Sequence, residues 1–265
     1  MGFQRLGGIR VFSFEIFNGY NVHNAVLTRA GGVSRPPYAS LNLGGTVGDQ
    51  PAHVNQNKQI AFNAFGLTTE CIYDVWQVHG DEVVCTDRPR QPGEPHLKAD
   101  VILTNAPGVS LLMRFADCVP IFLFDPVRRV AGLAHAGWKG TVLKTAQRAV
   151  EGMSIHYGSR PGDILAAIGP SIAAHHYQIG EDVGTQVRNV FQDLSSELLR
   201  RVNGGSRPGY VLDLWAANRL ILEQAGVKDI EIAGLCTACN LNDWYSYRAE
   251  DSRTGRFGAL IALQP

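Results

Sequence analysis

Short apolar runs bounded by Gly, Pro, Asn or Asp dominate the first half of the chain. Runs at 11–14, 24–28, 82–86, 101–104, 110–114, 120–124 and 130–135 are rich in β-branched residues and are expected as strands. Four stretches, 51–65, 141–157, 181–190 and 213–225, carry a helical period instead. In Leu143, Ala146 and Val150, and again in Leu214, Ala217 and Ile221, apolar residues recur at spacings of three and four, which fits one buried helix face. Asp213 stands at an N-cap position and Gly226 closes the same helix. Strands return at 230–233 and 257–263, and the proline-bearing stretch 87–98 is expected to cross the surface between two strands. Strands and helices mix without a regular βαβ alternation, which predicts an α/β (α+β) sandwich of mixed sheets rather than a doubly wound or barrel fold.

The 265 residues show no internal repeat and no evident linker. An apolar content of 45% supports a full hydrophobic core. A formal net charge of zero points to neither a nucleic acid nor an anionic membrane as partner. The apolar run at 119–124 is too short to span a bilayer. Residues 1–10 lack a signal-peptide pattern, and five cysteines do not make a disulfide framework, so reduced thiols and a cytoplasmic protein are expected. No heptad or apolar stripe announces an interface, so a monomer is expected.

Three reactive side chains end apolar runs. His79 closes Val75-Trp76-Gln77-Val78-His79-Gly80, Cys118 lies in Phe115-Ala116-Asp117-Cys118-Val119-Pro120, and His135 opens His135-Ala136-Gly137-Trp138-Lys139-Gly140. A thiolate and two imidazoles suit Zn(II) or Cu(I) and leave a fourth coordination position open. On residue types alone, Cys118 reads more often as an inert core thiol and a His beside Gly more often as a solvated turn residue than as metal ligands. His23, His53, His96 and His156 read as surface, and at most one of His175 and His176 is expected to face a site. Cys236 and Cys239 form a lone CxxC with no further ligand pair following it, and they read as two reduced loop thiols. The glycine-rich segment from Thr28 to Ser34 lacks P-loop spacing, but its backbone and Arg29 together could receive an anion. Trp244-Tyr245-Ser246-Tyr247-Arg248 offers aromatic surface beside a guanidinium, or an ordinary strand with one exposed Arg.

These strings resemble the multicopper polyphenol oxidase (laccase-domain) family, also called the purine nucleoside phosphorylase YfiH family. The resemblance runs nearly end to end. It adds Ser40-Leu41-Asn42-Leu43, Ile168-Gly169-Pro170-Ser171-Ile172, Asp213-Leu214-Trp215, Cys236-Thr237 and Thr254-Gly255-Arg256 to the segments above. It implies a single YfiH-like domain over 1–265, with His79, Cys118 and His135 at the family's His-Cys-His zinc positions. The departures are Lys139 where Arg is more usual, Gln178 for Glu, and Ala249-Glu250 where a second Arg is common.

What the resemblance implies about chemistry is phosphorolysis of adenosine, inosine and methylthioadenosine, with adenosine deamination beside it. Copper oxidation as the main activity fits poorly, because eight His without one H-x-H pair, and no identifiable axial Met, do not provision a multicopper or blue-copper centre, while phenol oxidation by copper held at the His-Cys-His positions stays open as an alternative. The expected roles are Cys118, His79, His135 and Asp117 in catalysis, Asp117 either positioning the thiolate or pointing away from it, Arg29 or Arg248 on phosphate, and Asn42 on sugar or base. Two other readings stand. One is a Cys118–His135 hydrolase, as in a bacterial toxin deamidase whose fold is similar to the family's, with peptidoglycan precursors as substrates. The other is a zinc-stabilised binding module without turnover.

Overall fold

The computed structural model describes residues 1–202 and 209–265. Two six-stranded sheets pack face to face between layers of helix, and a small three-stranded sheet stands beside them. The first sheet runs, in spatial order, Gly2–Leu6, Ile9–Ser13, Val22–Leu27, Phe257–Leu263, Ser110–Phe115 and Ile72–Tyr73. Its pairs are antiparallel except the last. The second runs Asp229–Ile232, Leu165–Ile168, Val119–Asp125, Val130–Ala136, Val101–Thr104 and Val83–Cys85, with a parallel pair at each edge. Both sheets are mixed, as the irregular order of elements predicts.

Side-chain alternation assigns each strand's residues to two cores. Phe12, Val26, Met113 and Ile261 of the first sheet meet Ile102, Phe122, Phe124 and Leu133 of the second in a dry layer between the sheets. The opposite face of the second sheet, with Leu103, Ile121 and Leu123, packs on Ala146, Val150 and Met153 of helix Thr145–Tyr157 and on Ala217 and Ile221 of helix Leu214–Gln224. The outer face of the first sheet, with Val11, Leu27 and Leu260, is covered by Ala61 and Phe62 of helix Pro51–Asn63. Asp213 caps its helix as expected, its Oδ1 accepting the Ala216 N–H at 2.9 Å, and Gly226 takes a φ of 95° just beyond the helix end.

The helix expected over 141–157 is two helices, Trp138–Val142 and Thr145–Tyr157. Lys144 breaks the run with a left-handed φ of 58°. The break sets Thr145 where its hydroxyl donates to the Gly80 carbonyl at 2.8 Å, tying the longer helix to the loop that carries His79. Strands Leu165–Ile168, Leu199–Val202 and Gly209–Leu212 were not expected. The first is Leu-Ala-Ala-Ile, poor in β-branched residues, and becomes a strand by pairing on both sides inside the second sheet. No helix among the described residues is long and apolar enough to cross a membrane, and all five cysteines are free thiols.

Candidate metal centre and cavity

The register of the second sheet assembles the first two members of the site. Strands Val119–Asp125 and Val130–Ala136 are antiparallel, with Pro120 opposite His135 and Val119 opposite Ala136, so Cys118 and His135 lie at the same end of the sheet. His79 arrives from the loop after the Trp76–Lys98 bridge. One potential ligand atom from each of His79, Cys118 and His135 lies within 4.8 Å of the others. The two imidazole rings meet edge to face with centroids 4.9 Å apart. Gly137 is required beside them, because a Cβ there would stand 2.7 Å from Cys118 Sγ.

Asp100, which sequence reasoning missed, organises this cluster. It is fully buried at the head of strand Val101–Thr104. Its carboxylate accepts the backbone N–H groups of Val78 at 3.0 Å, His79 at 3.1 Å and Gly80 at 2.7 Å. Those three bonds hold His79 at a φ of 59°, a region non-glycine residues seldom adopt. Asp100 Oδ1 also lies 2.7 Å from His135 Nδ1. An ionised carboxylate can only accept, so Nδ1–H donates to Asp100 and Nε2 is the nitrogen left to ligate a metal once it gives up its own proton, as in carboxylate–histidine–metal arrangements. The signal was a lone carboxylate opening an apolar run, Asp100-Val101-Ile102-Leu103.

Burial alone would push the Cys118 thiol up, but the charge and hydrogen bond of His135, with a hydrogen bond from His79, outweigh it and bring it down to about 6. Burial would likewise lower His135, yet the Cys118 charge and the hydrogen bond to Asp100 lift it to about 9. The cluster therefore favours the thiolate, the form that ligates metal or attacks as a nucleophile.

The cluster opens into a cavity of about 700 Å³. Trp76, Trp138, Tyr177 and Tyr247 present rings to it, and Arg114, Arg248 and Arg256 bring positive charge. Trp76 and Tyr247, each about half exposed, leave ring surface free for a planar ligand. A second charged group forms another part of the wall. There Asp74 pairs with Arg114 at 2.5 Å, Arg90 at 2.9 Å and His96 at 3.1 Å. His96 is exposed, as its sequence context predicts, and also lines the cavity.

Of the residues singled out for substrate, Arg248 lines the cavity, while Arg29 and Asn42 do not. Arg29 is consumed by the Ala39 carbonyl at 3.0 Å, the Leu241 carbonyl at 3.0 Å and Glu250 at 3.0 Å, with its guanidinium over the Tyr245 ring. Asn42 is fully buried and spends its amide on Asp49, Gly44 and the Arg256 N–H. In this structure both brace loops, and neither faces the cavity. The N–H groups of Gly31 and Gly32 are also spent, each donating to Ser40 Oγ at 3.1 Å, so the glycine-rich segment is a packed turn and not an anion cradle.

Asp117 borders the cavity, with its carboxylate accepting Thr237 Oγ1 at 2.6 Å and the Arg248 N–H at 2.7 Å. Its side chain braces the loops on either side of the thiolate and spends both oxygens there. In the aromatic segment, Trp244 and Tyr245 are core residues, and only Tyr247 and Arg248 face the cavity.

Fold and site together define a mixed α/β protein with a His–Cys–His cluster at one wall of an aromatic, cationic cavity. The family described as multi-copper polyphenol oxidoreductase laccase matches residues 23–264, and the chain belongs to it. The purine nucleoside phosphorylase of Deinococcus radiodurans is 43% identical over 91% of this chain and 89% of its own length. Purine nucleoside phosphorylase YlmD of Bacillus subtilis is 39% identical over 89% of this chain and 87% of its own. The crystal structure of the Bacillus licheniformis hypothetical protein YfiH superposes with a TM-score of 0.91 at 33% identity, covering 99% of each chain. YlmD from Geobacillus stearothermophilus gives 0.90 at 31% identity, again over 99% of each chain.

Proposed function

We propose that the protein is a zinc-dependent purine nucleoside phosphorylase, converting adenosine, inosine or methylthioadenosine to free base and ribose 1-phosphate. The observation that carries the reading is the sharing of one cavity by the His79, Cys118 and His135 cluster, the guanidinium groups of Arg248 and Arg256, and exposed ring faces. Relatives named as purine nucleoside phosphorylases support it.

The donor set fits zinc: one thiolate and two imidazoles, their atoms within 4.8 Å of one another, with His135 oriented by Asp100. When bound there, zinc would supply Lewis acidity at a position left open to the cavity. The chain's own residues do the remaining work. Trp76 and Tyr247 offer ring surface for the purine to stack on, and Arg248 and Arg256 hold phosphate. A phosphate oxygen attacks the sugar C1′, the C1′–N9 bond breaks, and its electron pair leaves on the purine. Tyr177 lies against the Arg248 guanidinium, 5.1 Å from ring to cation. Burial foremost, and then the Cys118 charge, raise its phenol above the usual tyrosine value. Its Oη therefore keeps a proton at neutral pH and donates a hydrogen bond to the departing base. Adenosine deamination is a second activity of the same cavity. In this reading the protein is a monomeric cytoplasmic enzyme of one domain, with small-molecule partners and neither nucleic acid nor membrane.

Copper-dependent phenol oxidation draws less support. Of the three methionines, Met113 and Met153 are core residues and none lines the cavity among the described residues, so no axial thioether stands by the cluster.

The test is purine release from adenosine and inosine by metal-quantified protein, with and without phosphate, beside Cys118→Ala. Phosphate-dependent release with ribose 1-phosphate, lost in the variant, is the expected result. No release by zinc-loaded protein would overturn the reading. One observation favours a second: Cys118, His135 and Asp100 also form a nucleophile, base and orienting carboxylate, which suits a cysteine hydrolase of cell-wall precursors. Such an enzyme keeps its activity under chelation and loses it to iodoacetamide.

A further inference from the structure

The CxxC of Cys236 and Cys239 lacks two ligands only along the sequence. The turn Ala174–His176 delivers them in space. In that turn the side chains of His175 and His176 converge, with ring centroids 4.6 Å apart. His175 Nε2 lies 3.1 Å from Cys239 Sγ. His176 Nδ1 lies 3.5 Å from both Cys236 Sγ and Cys239 Sγ. One potential ligand atom from each of the four residues falls within 4.8 Å of the others.

Those separations match a coordination sphere. Zn–S near 2.3 Å and Zn–N near 2.0–2.1 Å in a tetrahedron place neighbouring ligand atoms about 3.3–3.8 Å apart. Two soft thiolates with two imidazoles select zinc over hard cations. We propose that His175, His176, Cys236 and Cys239 form a second metal site of the Cys₂His₂ type, which binds Zn²⁺ structurally. All four positions come from protein, so the site is closed and has no place for substrate. Binding replaces the two thiol protons, and the Zn²⁺ charge balances the two thiolates.

The position of the site gives it a purpose. Cys236 is held by a parallel bridge to Ser171, with Thr237 N–H donating to the Ser171 carbonyl at 3.1 Å. Thr237, between the cysteines, donates to Asp117, the residue that precedes Cys118. Tyr177 directly follows His176 and lines the cavity, and the next carbonyl, of Gln178, accepts a bond from Arg248 at 2.9 Å. A zinc ion in this cluster would pin together two loops that carry one wall of the cavity.

The test counts metal in full-length protein produced with zinc and purified under reducing conditions, using elemental analysis and the spectrum of the Co²⁺-substituted protein. The expected result is about two zinc ions per chain in the wild type and one in Cys118→Ala. That variant should keep a tetrahedral Co²⁺ spectrum with sulfur charge-transfer bands. Cys239→Ser and His175→Asn, both at exposed positions where the fold tolerates change, should each lose one ion and keep the other. An unchanged metal content in both variants overturns the proposal, as does a Cys236–Cys239 disulfide in the reduced preparation. Because the count is independent of turnover, a chain that holds this ion but shows no phosphorolysis supports the second site while removing the proposed activity.

Discussion

Asp100 and His135 meet at 2.7 Å, and the same carboxylate gathers the three N–H groups around His79, so one buried residue sets the orientation of two of the three clustered side chains. Asp100→Asn keeps the volume and loses the charge. It is expected to weaken zinc retention by about 10–100-fold. Competition against a chromogenic chelator measures this, and a circular dichroism spectrum like that of the wild type separates the effect from misfolding.

Gly137→Ala is expected to displace the thiolate. The added Cβ would lie 2.7 Å from Cys118 Sγ, while the backbone φ of −77° suits alanine as well as glycine. Loss should therefore fall on metal content at the cluster and not on the melting temperature of protein stripped of its metal. An unchanged metal content in Gly137→Ala would count against Cys118 as a ligand.

The rings at the cavity mouth should govern nucleoside affinity. Stacking on a base contributes about 1–3 kcal/mol, so Trp76→Ala or Tyr247→Ala should raise KM for adenosine by roughly 5–150-fold. KM for phosphate should move little. Arg248→Ala should show the reverse, and steady-state kinetics with each substrate varied in turn distinguishes them.

Acid should destabilise the cationic wall. Burial would raise the Asp74 carboxyl, but Arg114 above all, then His96 and Lys58, hold it far below its usual value of 3.8. A carboxylate whose folded value is depressed contributes its stability fully above the unfolded value. That contribution is lost as pH falls below about 4. Asp74→Asn should flatten this limb of the stability curve. It should also cost about 1–3 kcal/mol at neutral pH, by leaving part-buried cations without their carboxylate. Urea unfolding between pH 3 and pH 7 measures both effects.

The fold was legible where side-chain chemistry and environment agree. Val101–Thr104 and Phe257–Leu263 are strands at the expected residues, because apolar runs of this kind suit a strand buried on both faces. Leu165–Ile168 was not legible, because its alanines carry little strand preference and only neighbours on both sides define it. At the site, His79, Cys118 and His135 could be named from strand ends. Asp100, Arg114 and Arg256 could not, since their roles arise from contacts between segments far apart in the chain. That Arg29 and Asn42 stand away from the cavity was illegible for the same reason. A polar residue beside glycines looks available in sequence until its partners, such as Glu250 and Asp49, are in place.

His79, Cys118 and His135 lie 39 and 17 residues apart and converge only when strands of the second sheet are in register with the Asp100 loop. The unfolded chain presents no such trio, so an ion held by all three favours the native state by mass action. At a free ion concentration about a thousand times its dissociation constant, that coupling adds about 4 kcal/mol. With zinc as that ion, as proposed, the melting temperature should climb with the logarithm of free zinc, and the survival of the folded chain should follow the zinc supply of its surroundings.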